Sequence, residues 1–171
     1  MNGKQKHKKI YKDKSNIDGN GIFAKKDIKK GEIIALIKGP IINHAVVDKK
    51  TSSAGPNWIG IGKNKWIDPK VIFNHINHSC DPNAGIKGSK TVVALRNIKK
   101  GEEVLIDYSI TEEDALWELP RRCKCGSKKC RKIIKSIQFL PKEVFNGYLP
   151  YISKYFQQVY IKYHKNKNNG K

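Results

Sequence analysis

The sequence predicts a mainly β domain followed by a C-terminal α-helical segment. Short runs rich in isoleucine and valine alternate with glycine-containing turns through the first two thirds of the chain. After Pro141, apolar and aromatic residues recur at helical spacing instead. A length of 171 residues suits one domain. We therefore expect one globular unit whose core lies between Ile10 and Tyr163.

Both ends of the chain are polar and lysine-rich. Residues 1–14 contain one aspartate and little that could pack in a core, which predicts a basic flexible arm. Residues 165–171 combine lysines and asparagines with no acidic side chain, which predicts a disordered tail. We expect order to end near His164.

Four apolar runs predict strands: Glu32 to Ile37, Trp58 to Ile61, Thr91 to Leu95 and Glu103 to Ile106. An internal echo accompanies them, because an eleven-residue pattern beginning at Ala24 returns at Ala94. In each copy a Lys-Lys-Gly-Glu turn leads into an extended run. The echo indicates two hairpins of one design. The alternative is that any strand-turn-strand unit would look similar.

The C-terminal segment carries an aromatic stripe at three-to-four-residue spacing. Its members are Val144, Tyr148, Tyr151, Ile152, Tyr155, Phe156, Val159 and Tyr163. We interpret the stripe as a packing surface against the β body rather than as a cofactor site. Pro150 is predicted to start the main helix, because proline is tolerated in a first helical turn.

The charge balance is strongly basic, with 35 Lys and Arg, 15 Asp and Glu, and a net charge of +20. Such a charge favours an anionic partner, such as nucleic acid or an acidic protein surface. Lysine-rich composition also arises from solubility alone, so charge does not name a function. We find no secretory leader and no apolar run long enough to span a bilayer. We expect an intracellular protein, cytoplasmic or nuclear, that is monomeric and has no membrane partner.

The four cysteines are Cys80, Cys123, Cys125 and Cys130. The last three form a Cys-x-Cys-x4-Cys cluster, and cysteines separated by one residue seldom form a comfortable disulfide. Four thiolates would complete a tetrahedral Zn²⁺ shell, and a closed shell makes the metal structural. The alternative is that Cys80 is a buried free thiol and the other three belong to a redox group.

Four segments occur in the order seen in one known family. Residues 76–83, Ile-Asn-His-Ser-Cys-Asp-Pro-Asn, resemble the signature of SET-domain lysine methyltransferases. Residues 19–24 are similar to the early Gly-x-Gly loop of that family, and residues 101–108 to its Gly-Glu-Glu-Leu-x-x-Asp-Tyr strand. Residues 123–130 are similar to its post-SET zinc motif. The resemblance covers about Asn16 to Ile134.

The resemblance implies a β-clip fold, in which small curled sheets surround a pseudoknot formed where the C-terminal segment threads past the Asn-His-Ser-Cys segment. It implies a SET domain over residues 15–118 and a post-SET zinc-binding segment over residues 119–135. A C-terminal helical segment would then occupy residues 136–164.

The resemblance also implies roles for individual residues. Tyr108 would be catalytic, Asp107 would orient backbone and loops, and Cys80 would be the fourth zinc ligand. The methyl donor would be S-adenosylmethionine. Its predicted contacts are Gly19, Asn20, Gly21, Ile22, Phe23, His75, Asn77, His78, Tyr108 and Lys124.

Some positions depart from the family pattern. Ile106 stands two residues before Tyr108, where the family commonly has phenylalanine or tyrosine, so we expect room for di- or trimethylation. Asn74 and His75 replace the usual arginine and aromatic residue. Ile37 and Lys38 stand where a tyrosine often lies near the lysine channel. The cysteine-rich pre-SET segment is absent, so a histone substrate is not inherited.

The sequence thus favours a protein-lysine N-methyltransferase that acts on a lysine of a protein substrate, with a histone or another basic chromatin protein as one candidate. An inactive SET-fold module that docks nucleic acid or chromatin through its basic surface is the alternative. A basic zinc-binding nucleic-acid protein is the third reading, although the cysteine spacing lacks the histidines of common zinc fingers.

Overall fold

The computed structural model describes residues 8–43, 57–69 and 72–169. The strands in these ranges are short: β1 Ile10–Lys14, β2 Asn20–Ala24, β3 Ile33–Leu36, β4 Ile41–Asn43, β5 Ile59–Gly62, β6 Lys65–Ile67, β7 Asn77–His78, β8 Ala84–Lys87, β9 Thr91–Ala94 and β10 Leu105–Ile106. Helices of the 3₁₀ type occur at Phe73–His75, Tyr108–Thr111 and Ile137–Phe139. The α-helices are α1, Lys142–Tyr148, and α2, Lys154–Asn169.

The strands form small sheets rather than one continuous sheet. Strands β1 and β2 form a two-stranded sheet. Two further sheets have three strands each, in the orders β3-β9-β8 and β4-β6-β5, and neighbouring strands in all three sheets are antiparallel. Strand β10 instead runs parallel to β7, so residues 105–106 lie beside residues 77–78. The mainly β architecture with C-terminal helices is confirmed. The parallel pair brings together two of the segments that the sequence marked as functional.

The two copies of the internal echo pack directly against each other. Ile28 and Ile98 exchange backbone hydrogen bonds of 2.8 and 2.9 Å. Gly31 and Gly101 have the same φ of +80°, and each donates its N–H at 2.8 Å to the alanine carbonyl that begins the other copy. Each glycine therefore supplies the left-handed turn in its own copy. The echo is a local pseudo-twofold unit, not a chance likeness of two turns.

The N-terminal arm is shorter than predicted. Residues 10–14 form β1, which pairs with β2 from Ile10 opposite Ala24 to Lys14 opposite Asn20. Ile10 is 2% exposed and belongs to the core. The prediction of a flexible arm is therefore wrong for residues 10–14, because main-chain pairing and one buried side chain order a lysine-rich segment. Residues 1–7 lie outside the described part of the chain.

The predicted helix start at Pro150 is also wrong. Helix α1 ends at Tyr148, the Leu149–Pro150 peptide is cis, and α2 begins at Lys154. Leu149 has extended backbone angles, which is the conformation that a following proline favours. The carbonyl of Tyr151 then accepts a 2.8 Å hydrogen bond from Ile86 in β8. This contact ties the turn between the helices to a β-sheet.

Helix α2 extends beyond the predicted end of order. It reaches Asn169, so the prediction of disorder is wrong for residues 165–169, and residues 170–171 lie outside the described ranges. The rings of Phe145 and Tyr160 stack with centroids 3.8 Å apart. Phe156 is 2% exposed and lies in the same core as the strands. The aromatic stripe is thus a packing surface. Within the described residues, neither α-helix is long and apolar enough to cross a membrane.

Candidate active site and metal centre

Tyr108 lies where β10 ends and the Tyr108–Thr111 helix begins. Its hydroxyl donates a 2.8 Å hydrogen bond to the carbonyl of Ile76. Burial raises the pKa of Tyr108 to about 12, and the charges of Asp18 and Glu103 add to this while Arg121 opposes it. The phenol is therefore neutral at physiological pH. Its oxygen keeps acceptor capacity for another group.

A cavity of about 340 Å³ opens beside this tyrosine. Most residues around it are apolar or aromatic, but polar groups contribute nearly half of its surface. The lining residues are Asn57, Trp58, Ile59, Phe73, Asn74, Ile76, Ile106, Tyr108, Thr111, Glu112, Trp117, Leu119 and Pro120. Tyr108, for which the family resemblance implies a catalytic role, and Ile106, for which it implies an influence on methyl number, thus lie at one cavity. The segment 117–120, just before the cysteine cluster, closes the cavity from the C-terminal side.

Asp107, fully buried beside Tyr108, connects three parts of the chain. Its Oδ1 accepts hydrogen bonds from Ser109 N at 3.1 Å and from Arg131 Nη2 at 2.7 Å. Its Oδ2 accepts from the Tyr148 hydroxyl at 3.1 Å. The carboxylate therefore joins the Tyr108 turn, the segment after the cysteines and α1. This agrees with the orienting role expected for it.

His78 uses both ring nitrogens within the protein. Its Nδ1 accepts a hydrogen bond from Tyr108 N at 3.1 Å, and its Nε2 lies 3.3 Å from Cys80 Sγ. Burial lowers the pKa of His78 to about 4, with Arg131 adding to the effect and Asp107 opposing it. The ring is therefore neutral with its proton on Nε2, which donates to the sulfur. Because both ring nitrogens have partners within the protein, a cofactor contact at His78 would have to use its main-chain groups.

Asn77 fixes the loop at residues 18–20. Its Nδ2 donates to the carbonyls of Asp18 and Asn20, both at 3.1 Å, and to Glu103 Oε1 at 2.8 Å. The Oδ1 atom of Asn77 has no hydrogen-bond partner among the residues that the structure describes. One side chain thus sets the position of the loop and still offers an acceptor.

The two glycines of the Gly-x-Gly segment have different roles. Gly19 has φ +49°, and a Cβ placed there would meet nothing within 4 Å, so this face of the loop is open. A Cβ on Gly21 would instead collide with the carboxylate of Glu103. That carboxylate also accepts a 3.0 Å hydrogen bond from Ser15 Oγ. Gly21 therefore makes room for Glu103, whereas only Gly19 leaves space for a bound molecule.

Four other residues that were predicted to contact the cofactor do not line the cavity beside Tyr108. The Ile22 side chain is fully buried in the core, and the Phe23 ring packs 5.7 Å from that of Tyr11. His75 is half-buried, and its pKa is lowered by burial and by Lys12. Lys124 is exposed. None of these four residues lines the cavity.

The structure adds residues that the sequence analysis missed. Asp18 and Arg121 form an ion pair that joins the glycine loop to the segment before the cysteines. Glu103 and Glu112 are acidic groups at the loop and at the cavity. Asp18 and Arg121 are 103 positions apart, so no local pattern could have paired them.

The four cysteine sulfurs all lie within 4.8 Å of one another. Those of Cys80 and Cys123 are 4.0 Å apart, close to the separation of about 3.8 Å that tetrahedral Zn–S bonds of about 2.3 Å require. Backbone N–H groups point at sulfur, from Arg131 to Cys80 at 3.3 Å and from Cys125 to Cys123 at 3.4 Å. All four thiols are free. The donor set fits one thiophilic metal ion, and Cys80 belongs to it.

The chain is similar to known proteins. Histone-lysine N-methyltransferase 2B of Homo sapiens is 35% identical over 136 residues, which are 71% of this chain and 5% of that protein. Histone-lysine N-methyltransferase trithorax of Drosophila virilis is 36% identical over 147 residues, which are 74% of this chain and 4% of that protein. A crystal structure of a Plasmodium falciparum protein is 32% identical with a TM-score of 0.46, and the alignment covers 59% of this chain and 93% of that one.

The chain therefore spans about one twentieth of the length of these curated relatives. The family model described as SET domain matches residues 19–109, which is more than half of the chain. The match begins at the glycine loop and ends just beyond Tyr108, so it contains the loop, the Asn77 contact and the tyrosine that were located above. The chain belongs to the SET-domain family.

Proposed function

We propose that this protein transfers a methyl group from S-adenosylmethionine to the ε-amine of a lysine in a protein substrate. The observation that carries the proposal is the position of Tyr108, which lines one cavity together with Ile106. The charge of Asp18 in the glycine loop also acts on this tyrosine. In this proposal the cavity admits the lysine side chain, and the cofactor binds at the loop of residues 18–20.

The cofactor site in this proposal is the loop at residues 18–20. Gly19 leaves an open face, Asn77 holds the loop and keeps a free acceptor, and Asp18 with Arg121 offers both charges. S-adenosylmethionine is zwitterionic at its methionine end, so this donor set fits it. The bound cofactor supplies a methyl group on a sulfonium, which an amine can attack.

The residues of the cavity prepare the lysine for that attack. A lysine ammonium, with a reference pKa of about 10.4, must lose a proton before its nitrogen is nucleophilic. Walls such as Ile59, Ile76 and Ile106 disfavour the charged form. The neutral Tyr108 hydroxyl donates to Ile76 and accepts from the amine, which aligns the nitrogen.

In this proposal the size of the Ile106 side chain determines how many methyl groups fit beside the amine. Its side chain is 2% exposed, lines the cavity and has no polar atom to hold a water or a methylamine by hydrogen bonding. We propose di- or trimethylation. Mass spectra that show only one methyl group on a good substrate would contradict this assignment.

We also propose that the bound metal is zinc and that its role is structural. Four cysteine ligands close the tetrahedral shell and leave no position for water or substrate. The domains would then be a SET domain over residues 15–118, a post-SET zinc segment over residues 119–135 and a helical segment that continues from residue 136 through α2.

A histone is the first substrate class to test, because the curated relatives are named histone-lysine methyltransferases. The experiment has two readouts on zinc-loaded protein. Calorimetry measures S-adenosylmethionine binding, and radiolabelled methyl transfer is measured on purified core histones. The Asn77→Ala variant should lose most of the binding, because the loop at residues 18–20 is released. The exposed Asn146→Ala in α1 is the matched control and should bind normally.

Two results would count against the proposal. Folded, zinc-loaded protein that does not bind S-adenosylmethionine would leave the inactive docking module as the better account. Binding without transfer to histones or to a proteome extract would remove the catalytic assignment and retain only a cofactor site.

A further inference from the structure

The C-terminal helices form an open groove that the proposed chemistry does not use. The groove has a volume of about 1020 Å³ and lies where the Ile137–Phe139 turn, α1 and α2 meet. No described residue lines both this groove and the cavity beside Tyr108. The lining residues fall between positions 138 and 167, beyond the stretch that matches the SET domain model. The groove is therefore separate from the site described above.

Large apolar side chains are exposed along this groove. Phe139 is 43% exposed, Leu149 is 40% exposed and Ile161 is 57% exposed, and all three line the groove. They come from the turn, from the segment after α1 and from α2. Contiguous exposed apolar surface on a folded chain commonly marks a site of protein interaction. These side chains can therefore pack against apolar side chains of a partner.

The elements that carry the groove are already fixed to one another. The rings of Phe139 and Tyr163 meet edge to face, with centroids 5.6 Å apart. The Nε2 of His164 donates a 3.0 Å hydrogen bond to the carbonyl of Gln138, which joins α2 to the turn. A partner would therefore meet a preorganised surface, which lowers the entropic cost of binding.

The rim of the groove is basic. Lys142, Lys165 and Lys167 line it, and no described residue that lines it is acidic. The three lysines are exposed, and none forms an ion pair with a residue that the structure describes. Burial raises the pKa of Tyr160 and the charge of Glu143 adds to this, but Glu143 lies outside the lining. Apolar side chains with lysines around them are complementary to a peptide that carries both apolar and acidic side chains.

Charge also decides among the possible occupants. A second copy of this chain has a net charge of +20 and would bring like charge to a basic rim. The segments outside the described residues carry several lysines, with Asp48 as their one acidic residue, so they do not supply an acidic occupant. A nucleic acid presents mainly phosphates and would leave Leu149 and Ile161 without apolar contacts. An acidic segment of another protein satisfies both parts of the groove.

We propose that this groove is a docking site for an acidic segment of another protein. The segment inserts several large apolar side chains between α1 and α2 and places its carboxylates against the lysines of the rim. The volume of the groove suits several side chains rather than a single ion. The inference goes beyond the proposed methyltransferase function and does not depend on it.

The test uses the full chain, zinc-loaded, and four sets of short fluorescent peptides. The first set combines leucine or phenylalanine at varied spacing with glutamate and serine. The second set has glutamine in place of glutamate, and the third has lysine. The fourth set keeps glutamate and has alanine in place of leucine and phenylalanine. Fluorescence anisotropy measures binding, and saturable binding is expected in the first set alone.

A change in the groove should remove this binding. Ile161→Glu should weaken the best binders of the first set by about tenfold or more, because an apolar contact is lost and a carboxylate faces an acidic peptide. Ile33→Glu is the matched control. Ile33 is 56% exposed on β3, far from the groove in sequence, and the charge change is the same. Its binding should stay unchanged.

The rim is tested by a second pair of variants. The double variant Lys165→Gln with Lys167→Gln should weaken binding by about threefold and reduce its salt dependence. Lys26→Gln with Lys30→Gln removes the same charge from exposed positions elsewhere and should leave binding nearly unchanged. Thermal unfolding of each variant checks that it is folded, and the lysine variants decide the question if Ile161→Glu is not.

Several results would overturn the inference. Equal binding of the first and fourth sets, or binding that survives Ile161→Glu, would mean that general charge attraction is the cause. Equal binding of the glutamine or lysine sets would remove the preference for an acidic partner. Absence of any saturable binder in the first set would remove the docking site. Sedimentation that shows a dimer for wild type and a monomer for Ile161→Glu would assign the groove to a second copy of the chain instead.

Discussion

At the scale of single residues, Tyr108 has one hydroxyl with two tasks. The hydroxyl donates to Ile76, and its oxygen faces the proposed amine. We expect Tyr108→Phe to lower kcat by about 100-fold while S-adenosylmethionine binding stays near normal, because alignment and charge stabilisation are lost and the ring remains. Single-turnover methyl transfer and calorimetry separate these effects. Tyr163→Phe on α2 is the matched control, and equal activity of both variants would remove Tyr108 from the chemistry.

The pKa of Glu112, which burial raises, should also make the free energy of unfolding depend on pH. Its folded-state pKa of about 6 exceeds the ordinary value of 4.5, so between these values the folded protein binds more protons than the unfolded chain. Stability contributed by the protonated group is fully present below pH 4.5 and is lost as the pH rises through 6.

Glu112→Gln should therefore become more stable relative to wild type across this window, by about 2 kcal/mol, and the difference should be constant above it. Urea unfolding at several pH values measures it. A flat difference for Glu112→Gln would mean that the carboxylate is better solvated than its burial indicates.

The sequence proposes candidate site residues where a short motif places them close together. The cysteine spacing indicated a metal site, and Tyr108 with Ile106 came from a strand motif. The contacts of His78 were not predictable, because Tyr108 N lies 30 positions away and only the folded backbone brings it to Nδ1. The same holds for Gly21, whose missing side chain is explained by Glu103 and not by a ligand.

At the scale of elements, the repeated turns offer a paired test. Gly31 and Gly101 share φ +80° and have open space where a Cβ would stand. Replacement by alanine should therefore cost only the backbone strain, about 1 kcal/mol at each site and nearly equal at the two. Chemical denaturation measures both. Gly62→Ala, also in open space but without a positive φ, should change stability less. Unequal costs at Gly31 and Gly101 would show that the copies are not equivalent.

Strand positions followed from local composition, because isoleucine and valine runs between glycine turns favour extended structure. Strand β1 escaped prediction because its order comes from pairing with β2, and only Ile10 among its five residues is buried. Helix α2 continues to Asn169 although its last residues are polar, because helix propagation does not require burial at every turn. Pro150 misled the prediction because it acts on Leu149, before the helix, and not in the first turn.

At the scale of the whole molecule, the cysteine cluster and the reacting centre share one hydrogen-bonded path. The Nε2 of His78 donates to Cys80, its Nδ1 accepts from Tyr108 N, and Asp107 ties Arg131 to the same turn. Segment 117–120, which precedes the cluster, lines the cavity. The segment that precedes the cysteine cluster therefore forms part of the cavity wall.

Metal removal should therefore weaken catalysis and loosen the C-terminal third of the chain, while the sheet of β3, β8 and β9 stays ordered for longer. Purified protein should contain about one zinc per chain. A strong chelator should lower the melting temperature and weaken S-adenosylmethionine binding. Arg121 pairs with Asp18, and the proposed metal would anchor the segment that carries this arginine. Hydrogen exchange should rise first at residues 117–135, while β3, β8 and β9 stay protected. Restoring zinc should reverse both effects. Unchanged cofactor binding and exchange after complete zinc removal would show that the sulfurs are held by packing alone and that the metal does not support the active site.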